Sequence, residues 1–386
     1  MRIDLAASDN QMALLQGPAL ALPLIAAAVP LGLLIDRASR ARLLVIFTAL
    51  SLLGNALASA AGSFSMLFAA RSLVGLSATA TGTAAFSLLA DLCAPERRGR
   101  ATLVVAIGQF AGSSAAFALG GWLLAILGAS PHRWRLALLE LSAPLLIVLL
   151  ATLALREPVR AESIQANPSA REAFAELWRY RAVIVPLLAG LVSIEIALQS
   201  ALIWMAPALT RNFSLTPERA GAVMATTLFI SGIAGPIGGG FLADLMHKSS
   251  GPRSTLGILS AAALLLAITA ALFGRVFTQQ AAGILVLVFM TLITALLVMR
   301  TALFTIVVPN ELRGLCLSVF TSTTLVFGVG LGPLSVSALS GLLGGPALIR
   351  VALSLVAGAA GIVASVAFLR ARTSITRSAP NRRLRG

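Results

Sequence analysis

The chain has 386 residues, of which 58% are hydrophobic and 11% charged, and its mean hydropathy is +0.94. Soluble globular domains are about half apolar and about a quarter charged, so this composition leaves too few polar residues to cover a water-soluble core. The net charge of +15 does not indicate a nucleic-acid binder, because the basic residues are scattered between apolar runs and form no basic face. We therefore expect an integral membrane protein.

Eleven apolar runs of membrane-spanning length follow one another along the chain. They lie at about 11–31, 43–62, 66–90, 101–127, 136–155, 182–206, 220–241, 255–274, 281–308, 315–339 and 346–369. Because these runs are apolar on every side, whereas the strands of a membrane barrel alternate in polarity, the pattern predicts helices and excludes a β-barrel. The fold class expected is an all-α multi-pass membrane protein.

The longest polar stretch, 156–181, divides the apolar runs into two groups. It carries five arginines and four glutamates, which is typical of a linker between bundles, and we expect a short amphipathic helix near 170–181. The sequence thus predicts an N-terminal bundle over 1–155 with five spans, a C-terminal bundle over 182–369 with six spans, and a basic tail over 370–386.

The distribution of basic residues predicts the orientation in the membrane. Of the 29 lysines and arginines, 20 fall in the linker, in the tail and in four short loops that would share one side, and seven fall on the other side. Arg71 and Arg300 lie inside spans. By the positive-inside rule the richer side is cytoplasmic, so the C-terminus is predicted inside, in a bacterial inner membrane.

Two segments recur at a nearly constant offset. GLLIDRASRAR at 32–42 returns loosely as GFLADLMHKSSGPR at 240–253, about 208 residues later, and PERRG at 95–99 returns in PNELRG at 309–314, about 215 residues later. Two halves with the same orientation are the parallel-repeat plan of some transporters. The first segment resembles the loop motif of the major facilitator superfamily, and SDNQMALLQG at 8–17, SLLADLCAPERRGRA at 87–101 and GLGPLSVSALSGLL at 330–343 resemble its spinster-like branch.

The resemblance implies a fold of two six-helix bundles and aligns the first span here with the family's second helix. We therefore expect that the first helix is missing, which leaves about eleven spans. It also implies a cytoplasmic latch, in which Asp36 accepts from a helix N-terminus and pairs with Arg97, Arg98 or Arg100. The gating residues implied are Gly32, Asp36, Arg37, Arg40, Arg97, Arg98 and Asp244.

Charged residues inside spans are costly, and they usually face a cavity. Glu195 lies near the middle of its run, and Gln199 follows one turn later on the same face. A carboxyl group in the membrane interior can exchange protons, so Glu195 is the candidate for proton coupling, with a structural hydrogen bond or ion pair as the alternative. Arg300 is a candidate for substrate binding, for pairing with Glu195, or for snorkelling to the interface.

Arg71 begins RSLVG, which resembles the arginine motif of the family's fourth helix, and the motif favours a cavity role over snorkelling. Arg71, Gln199 and Arg300 are therefore the substrate-binding candidates. One departure matters, because spinster-like members usually carry an acid seven positions later, where this chain has Ala78. Proton coupling as the family uses it is in doubt for that reason.

These features predict a monomeric secondary transporter that moves a small organic or amphipathic solute by alternating access, with proton coupling left open. The alternative is a truncated or non-transporting membrane protein, such as a sensor or an inactive copy. No enzyme activity, metal or cofactor is expected, because both histidines fall in loops and the two cysteines are far apart. A primary pump is disfavoured because the sequence has no phosphate-binding GxxxxGK[ST] loop.

Overall fold

The regular elements of the chain are helices throughout the part that the structure describes. This computed structural model describes residues 2, 4–93, 98–128, 132–158, 178–250, 252–307, 316 and 319–378. The helices are α1 Asp9–Gln16, α2 Pro18–Arg37, α3 Arg40–Ala60, α4 Phe64–Leu92, α5 Arg98–Ile126, α6 Arg133–Leu141, α7 Ala143–Leu153, α8 Arg181–Asn212, α9 Pro217–Ser250, α10 Pro252–Phe273, α11 Gln279–Val307, α12 Gly332–Leu343 and α13 Ile349–Ser378. A π-helix, Thr324–Leu331, precedes α12, and a 3₁₀ turn, Pro346–Leu348, precedes α13.

Ten helical segments of the described residues are long and apolar enough to cross a membrane, which agrees with the predicted fold class. Apolar side chains on these helices remain widely exposed, as with Ile147 at 71% and Leu150 at 60% on α7. Such exposure is expected of surfaces that face lipid, because lipid tails solvate apolar side chains. Lipid offers no hydrogen-bond partners, so the backbone groups of these segments are bonded within each helix.

Two of the predicted runs contain a helix break that the hydropathy pattern does not reveal. The run at 11–31 is divided into α1 and α2 at Gly17, since Pro18 has no N–H to continue the hydrogen-bond ladder. The run at 136–155 is divided into α6 and α7 at Ser142, where Pro144 has the same effect. The first of these breaks follows Gln16, whose side chain contacts the predicted substrate-binding residue Arg71.

Serine side chains define where several helices begin. Ser39 Oγ accepts from the N–H of Arg42 at the start of α3, and Ser63 Oγ accepts from the N–H of Met66 at the start of α4. Such caps satisfy backbone donors that have no partner inside the helix. The cap on α3 fixes the position of Arg40, the first residue of that helix.

The helices group into two compact units. The first comprises residues 1–165, 215–225 and 329–334, and the second comprises 166–214, 226–328 and 335–386. In the first unit α3 packs on α4 closely enough that a Cβ on Gly54 would lie 2.7 Å from Val74 Cγ2. In the second unit α8 packs on α13, where Gly190 makes room for the ring of Phe368. The predicted boundaries of the bundles stay predictions.

Asp4 fastens the segment before α1 to the start of α6. Its Oδ2 accepts from Trp134 Nε1 and from Arg135 Nη2, each at 3.0 Å, and its Oδ1 lies 3.0 Å from His132 Nδ1. Desolvation alone would raise the pKa of Asp4, but these hydrogen bonds and positive charges lower it. We interpret this cluster as a structural clamp.

The last helix continues beyond the predicted end of its apolar run, 346–369. Helix α13 continues to Ser378, so the first residues of the predicted tail 370–386 extend the last helix. Apolarity marks only the part of a helix that lies in the membrane, and polar turns beyond it are invisible to that criterion. The amphipathic helix predicted near 170–181 falls mostly outside the described residues.

Candidate functional site

Arg71 lies within the membrane-spanning part of α4 and reaches toward the break between α1 and α2. Its Nη2 donates to Oε1 of Gln16 at 2.8 Å, and Gln16 is the last residue of α1. Just beyond, α2 and α4 approach so closely that a Cβ on Gly75 would lie 2.6 Å from Leu20 Cα. The helix break and this close approach hold the Gln16 side chain within reach of Arg71.

The positive charge of Arg71 is not neutralised by any acid in the described residues. Its Nε is buried and makes no hydrogen bond there, and no ion pair to it is present in that part of the chain. A guanidinium has five N–H donors, and Gln16 offers it only a neutral oxygen. An arginine held this way inside a span is suited to receive an anionic group from a ligand.

Glu195 and Gln199 contact each other on α8, in the second unit. Gln199 Nε2 donates to Glu195 Oε1 at 3.0 Å, as their spacing of one turn predicts. The π-helix packs directly against Glu195, because a Cβ on Gly328 would lie 2.6 Å from Glu195 Cγ. Since π-helical turns occur frequently at functional sites, this packing adds an observation to the sequence argument for Glu195.

Several predicted residues are described only in part. The backbones of Gly32, Asp36, Arg37, Arg98, Asp244 and Arg300 lie in helices, but their side chains are outside the description, and Arg97 lies outside the described residues altogether. The pairing of Asp36 with Arg97, Arg98 or Arg100 and the pairing of Arg300 with Glu195 therefore stay predictions.

Among the predicted gating residues, Arg40 is one whose side-chain contacts lie within the described part of the chain. Its Nη1 lies 2.6 Å from Oδ2 of Asp91, near the end of α4, and its Nε lies 3.1 Å from Oε1 of Glu157, just after α7. The same Nη1 also donates to Ser87 Oγ at 3.0 Å. The Arg40 and Asp91 side chains are 6% and 8% exposed, so this ion pair is removed from water. The cluster ties together the ends of three segments of the first unit.

Glu157 is held in its ionised form by this cluster. Its Oε2 accepts from Ser39 Oγ at 2.9 Å and from the N–H of Ala41 at 2.8 Å. Burial alone would raise the pKa of Glu157, but these bonds and the one from Arg40 outweigh burial and lower the pKa to about 2. The carboxylate thus stays charged at any physiological pH.

Three partners were not singled out from the sequence as functional residues: Gln16, Asp91 and Glu157. Gln16 is a polar residue inside an apolar run, a signal that could have been used. Asp91 stands within SLLADLCAPERRGRA, and Glu157 is one of many charges in the predicted linker. Their pairing with arginines distant in sequence leaves no local pattern. In the described part of the chain, no three His, Cys, Asp or Glu side chains form a group that could hold a metal.

One curated protein with a similar sequence is named as a transporter. A probable 4-methylmuconolactone transporter of Cupriavidus pinatubonensis is 26% identical over 248 residues, which is 62% of this chain and 54% of that protein. The chain therefore matches about half the length of this curated relative.

Solved structures of three transporters have a similar fold. A bacterial homologue of the human lysosomal transporter Spinster, in its inward-facing and unoccupied conformation, is 19% identical with a TM-score of 0.78, over 96% of this chain and 91% of that one. For the nucleoside transporter NupG the identity is 16% and the TM-score 0.74, over 96% and 93% of the two chains. A D-xylose–proton symporter is 16% identical with a TM-score of 0.69, over 93% and 87%.

A match to a family model along most of the sequence establishes the family to which the chain belongs. The sequence model of the Major Facilitator Superfamily matches residues 1–333, which include both copies of the loop motif and the spans that carry Arg71 and Glu195. The chain belongs to the major facilitator superfamily.

Proposed function

We propose that the protein is a secondary active transporter that moves a small organic anion by alternating access, with Arg71 as the residue that receives the anion. The observation that carries this proposal is the guanidinium of Arg71, which lies inside a span and is bonded to the neutral side chain of Gln16. The family supports transport, and the anionic class of the solute rests on this arginine.

The cost of placing a charge in the membrane supports a ligand role. An arginine costs about 2.5–3.5 kcal/mol at the centre of a span on insertion scales and less toward an end, and arginines within spans are usually paired or exposed to a cavity. Arg71 is the eighth residue of the span Phe64–Leu89, so part of this cost applies to it. Ala78 stands where an acid is usual in the family branch that the sequence resembles, and no described acid replaces it. A carboxylate from the solute would supply the missing negative charge and could bind the planar guanidinium through both oxygens.

We propose Glu195 as the proton-coupling residue, with Gln199 and Arg300 as further contacts for the solute. The Gln199 hydrogen bond and the packing against Gly328 hold the Glu195 side chain in a defined position. A carboxyl group that alternates between ionised and protonated forms would link solute movement to a proton gradient. This role is independent of the anion proposal and is tested separately.

For the location, we propose the bacterial inner membrane, a cytoplasmic C-terminus and a monomer. The charge distribution supports this orientation. Reporter fusions test it directly: a reporter after residue 165 or at the C-terminus should be cytoplasmic, and one near residue 132 should be periplasmic. A periplasmic C-terminus would contradict the orientation.

The solute class is tested by exchange in proteoliposomes that contain the purified protein. The name of the curated relative supplies 4-methylmuconolactone as the first solute, followed by a panel of small carboxylates and the neutral amide of each. We expect a labelled carboxylate inside the vesicles to exchange with the same carboxylate outside, and the matched amide to exchange far more slowly. Equal exchange of carboxylates and amides would reject the anionic class while leaving transport intact.

A further inference from the structure

A groove of about 680 Å³ lies on the first unit between the beginning of α3 and the end of α7. Its lining has two parts, a polar end and an apolar wall. The residues that line it are Ser39, Ala41, Arg42, Val45, Ile46, Thr152, Leu153, Leu155, Arg156 and Glu157. Neither Arg71 nor Glu195 is among the residues that line this groove, so the groove is distinct from those two sites.

The polar end carries two arginines that have no ionic partner among the described residues. Arg42 and Arg156 are both exposed, and neither side chain makes a hydrogen bond or an ion pair within the described residues. The third charged residue of the lining, Glu157, is already engaged by Arg40, Ser39 and the Ala41 N–H. The free charge that the groove presents is therefore positive.

The apolar wall runs from the arginines along both helices. Ile46 follows Arg42 by one turn on α3 and is 52% exposed, and Leu153 at the end of α7 is 62% exposed. Leu155, which is 40% exposed, continues the wall beside Arg156. A ligand that fits both parts has an anionic group at one end and an apolar chain at the other.

The position of the groove along the spans identifies the source of such a ligand. The apolar span Arg40–Ala60 begins at the groove, and the apolar span Arg133–Leu153 ends there. The polar end thus lies where the hydrocarbon region meets the headgroups, and the apolar wall lies within the hydrocarbon region. Basic grooves between helices at this depth suit lipid headgroups.

We propose that this groove binds an anionic phospholipid. The headgroup phosphate lies between the guanidinium groups of Arg42 and Arg156, and one acyl chain lies along Ile46 and Leu153. Arginine binds phosphate oxygens through charge-assisted hydrogen bonds, for which its planar fork is well suited. The site requires no transport activity, so it can be tested before any solute is known.

The experiment measures retention of phosphatidylglycerol by the purified full chain in detergent, using native mass spectrometry, with phosphatidylcholine as the neutral lipid. The variants are Arg42→Gln, Arg156→Gln and the double variant. Arg370→Gln, which removes an exposed arginine on α13, is the matched control. We expect a loss of affinity for phosphatidylglycerol of about fivefold in each single variant and about thirtyfold in the double variant, with little change in the control.

Two further measurements distinguish a lipid-binding site from a site that binds any anion. Glycerol phosphate, the water-soluble part of the headgroup, should fail to displace phosphatidylglycerol at equal concentration. Ile46→Ser should weaken lipid binding even though both arginines remain. The proposal would be overturned if the double variant kept wild-type affinity for phosphatidylglycerol, or if the wild type retained phosphatidylcholine equally well. Displacement of the lipid by glycerol phosphate would also overturn it. So would unchanged lipid binding in Ile46→Ser, or a loss of affinity in Arg370→Gln equal to that in the groove variants.

Discussion

Arg40 and Arg71 lie in the same unit, and their surroundings are opposite. Arg40 contacts two carboxylates, from Asp91 and Glu157, and these are supported by further hydrogen bonds from Ser39 and the Ala41 backbone. Arg71 contacts one neutral amide, from Gln16. Both side chains are largely removed from water, yet only one has its charge neutralised within the described residues.

The difference separates a structural arginine from a candidate binding arginine. A buried charge with two acidic partners contributes to stability only while those partners remain, and removing it leaves them unpaired. When a charge held by a neutral side chain is removed, no opposite charge is left unpaired, and the loss is confined to one hydrogen-bond acceptor, here Gln16 Oε1. Such an arginine also retains donors for a ligand. Substitution of each arginine should therefore affect different measurements.

The largest effect on stability is expected from Arg40→Met. The substitution leaves the buried carboxylate of Asp91 without its cation, and breaking a buried pair in this way costs about 3–5 kcal/mol. Thermal unfolding of the purified protein should show a large loss, and adding Asp91→Asn should recover part of it. The control is Arg42→Met, two residues along the same helix, where the exposed side chain makes no described ion pair. Equal losses in the two variants would contradict a structural role for the Arg40 cluster.

The next prediction concerns Arg71→Gln. The variant should fold as well as the wild type, because no described acid loses a partner. Anion binding should fall by roughly ten- to a hundredfold, since hydrogen bonds to a charged group contribute about 1.5–3 kcal/mol. Thermal unfolding without ligand checks the stability of the variant. The rise in melting temperature on adding the anion, and anion exchange in proteoliposomes, then measure the loss of anion binding on the same preparation. Gln16→Leu leaves the charge of Arg71 in place, so it should weaken anion binding less than Arg71→Gln does.

A severe loss of stability in Arg71→Gln would place Arg71 in the same class as Arg40. Arg71→Lys gives an intermediate test, because lysine keeps the charge but lacks the planar fork that binds both oxygens of a carboxylate. Anion exchange in Arg71→Lys equal to that of the wild type would show that charge alone is required.

Glu195→Gln extends the comparison to an acid inside a span. If Glu195 couples transport to protons, the variant should lose pH-driven accumulation and keep exchange and expression. If Glu195 instead pairs structurally with Arg300, expression should fall and Arg300→Met should restore part of it. Glu140→Gln, at an exposed glutamate of α6, is the matched control. Wild-type pH dependence in the Glu195→Gln protein would reject the coupling role.

The fold class was accessible from the sequence because membrane helices are long and apolar, and the apolar runs give their approximate positions. Eleven spans were predicted, and ten helical segments of the described residues have the length and hydropathy of a span. The two charges Arg71 and Glu195 were visible for the same reason, since each interrupts an apolar run. Gln199 followed from the turn of a single helix. These features are local, and a periodic pattern reports local features well.

The remaining features depend on contacts between distant segments or on backbone geometry. Arg40 pairs with Glu157, which is 117 residues away, and Arg71 pairs with Gln16, which is 55 residues away. No pattern in the sequence selects Asp91 or Glu157 from the many charges near helix ends. The π-helix beside Glu195 is also invisible, because its composition is that of any apolar span.

The smallest predicted effect is the pH dependence of the Arg40 cluster. The pKa of Glu157 is about 2 in the folded protein and about 4.5 ordinarily, so its ionised form is favoured by folding. A group whose pKa is lowered contributes stability that is present above its ordinary pKa and is lost as the pH falls toward the folded value. The contribution of Glu157 should therefore be constant from pH 7 to pH 5 and decline between about pH 4.5 and pH 2.

Glu157→Gln removes this contribution and leaves Asp91 to neutralise Arg40, so its cost at pH 7 should be smaller than that of Arg40→Met. The difference in melting temperature between wild type and Glu157→Gln should be constant down to pH 5 and then shrink as the wild-type carboxylate is protonated. The corresponding difference for Arg71→Gln should show no such step, because an arginine does not titrate in this range. A Glu157→Gln difference that grows on acidification would mean that Glu157 is held in its protonated form, and the Arg40 cluster would then lack the second carboxylate that distinguishes it from Arg71.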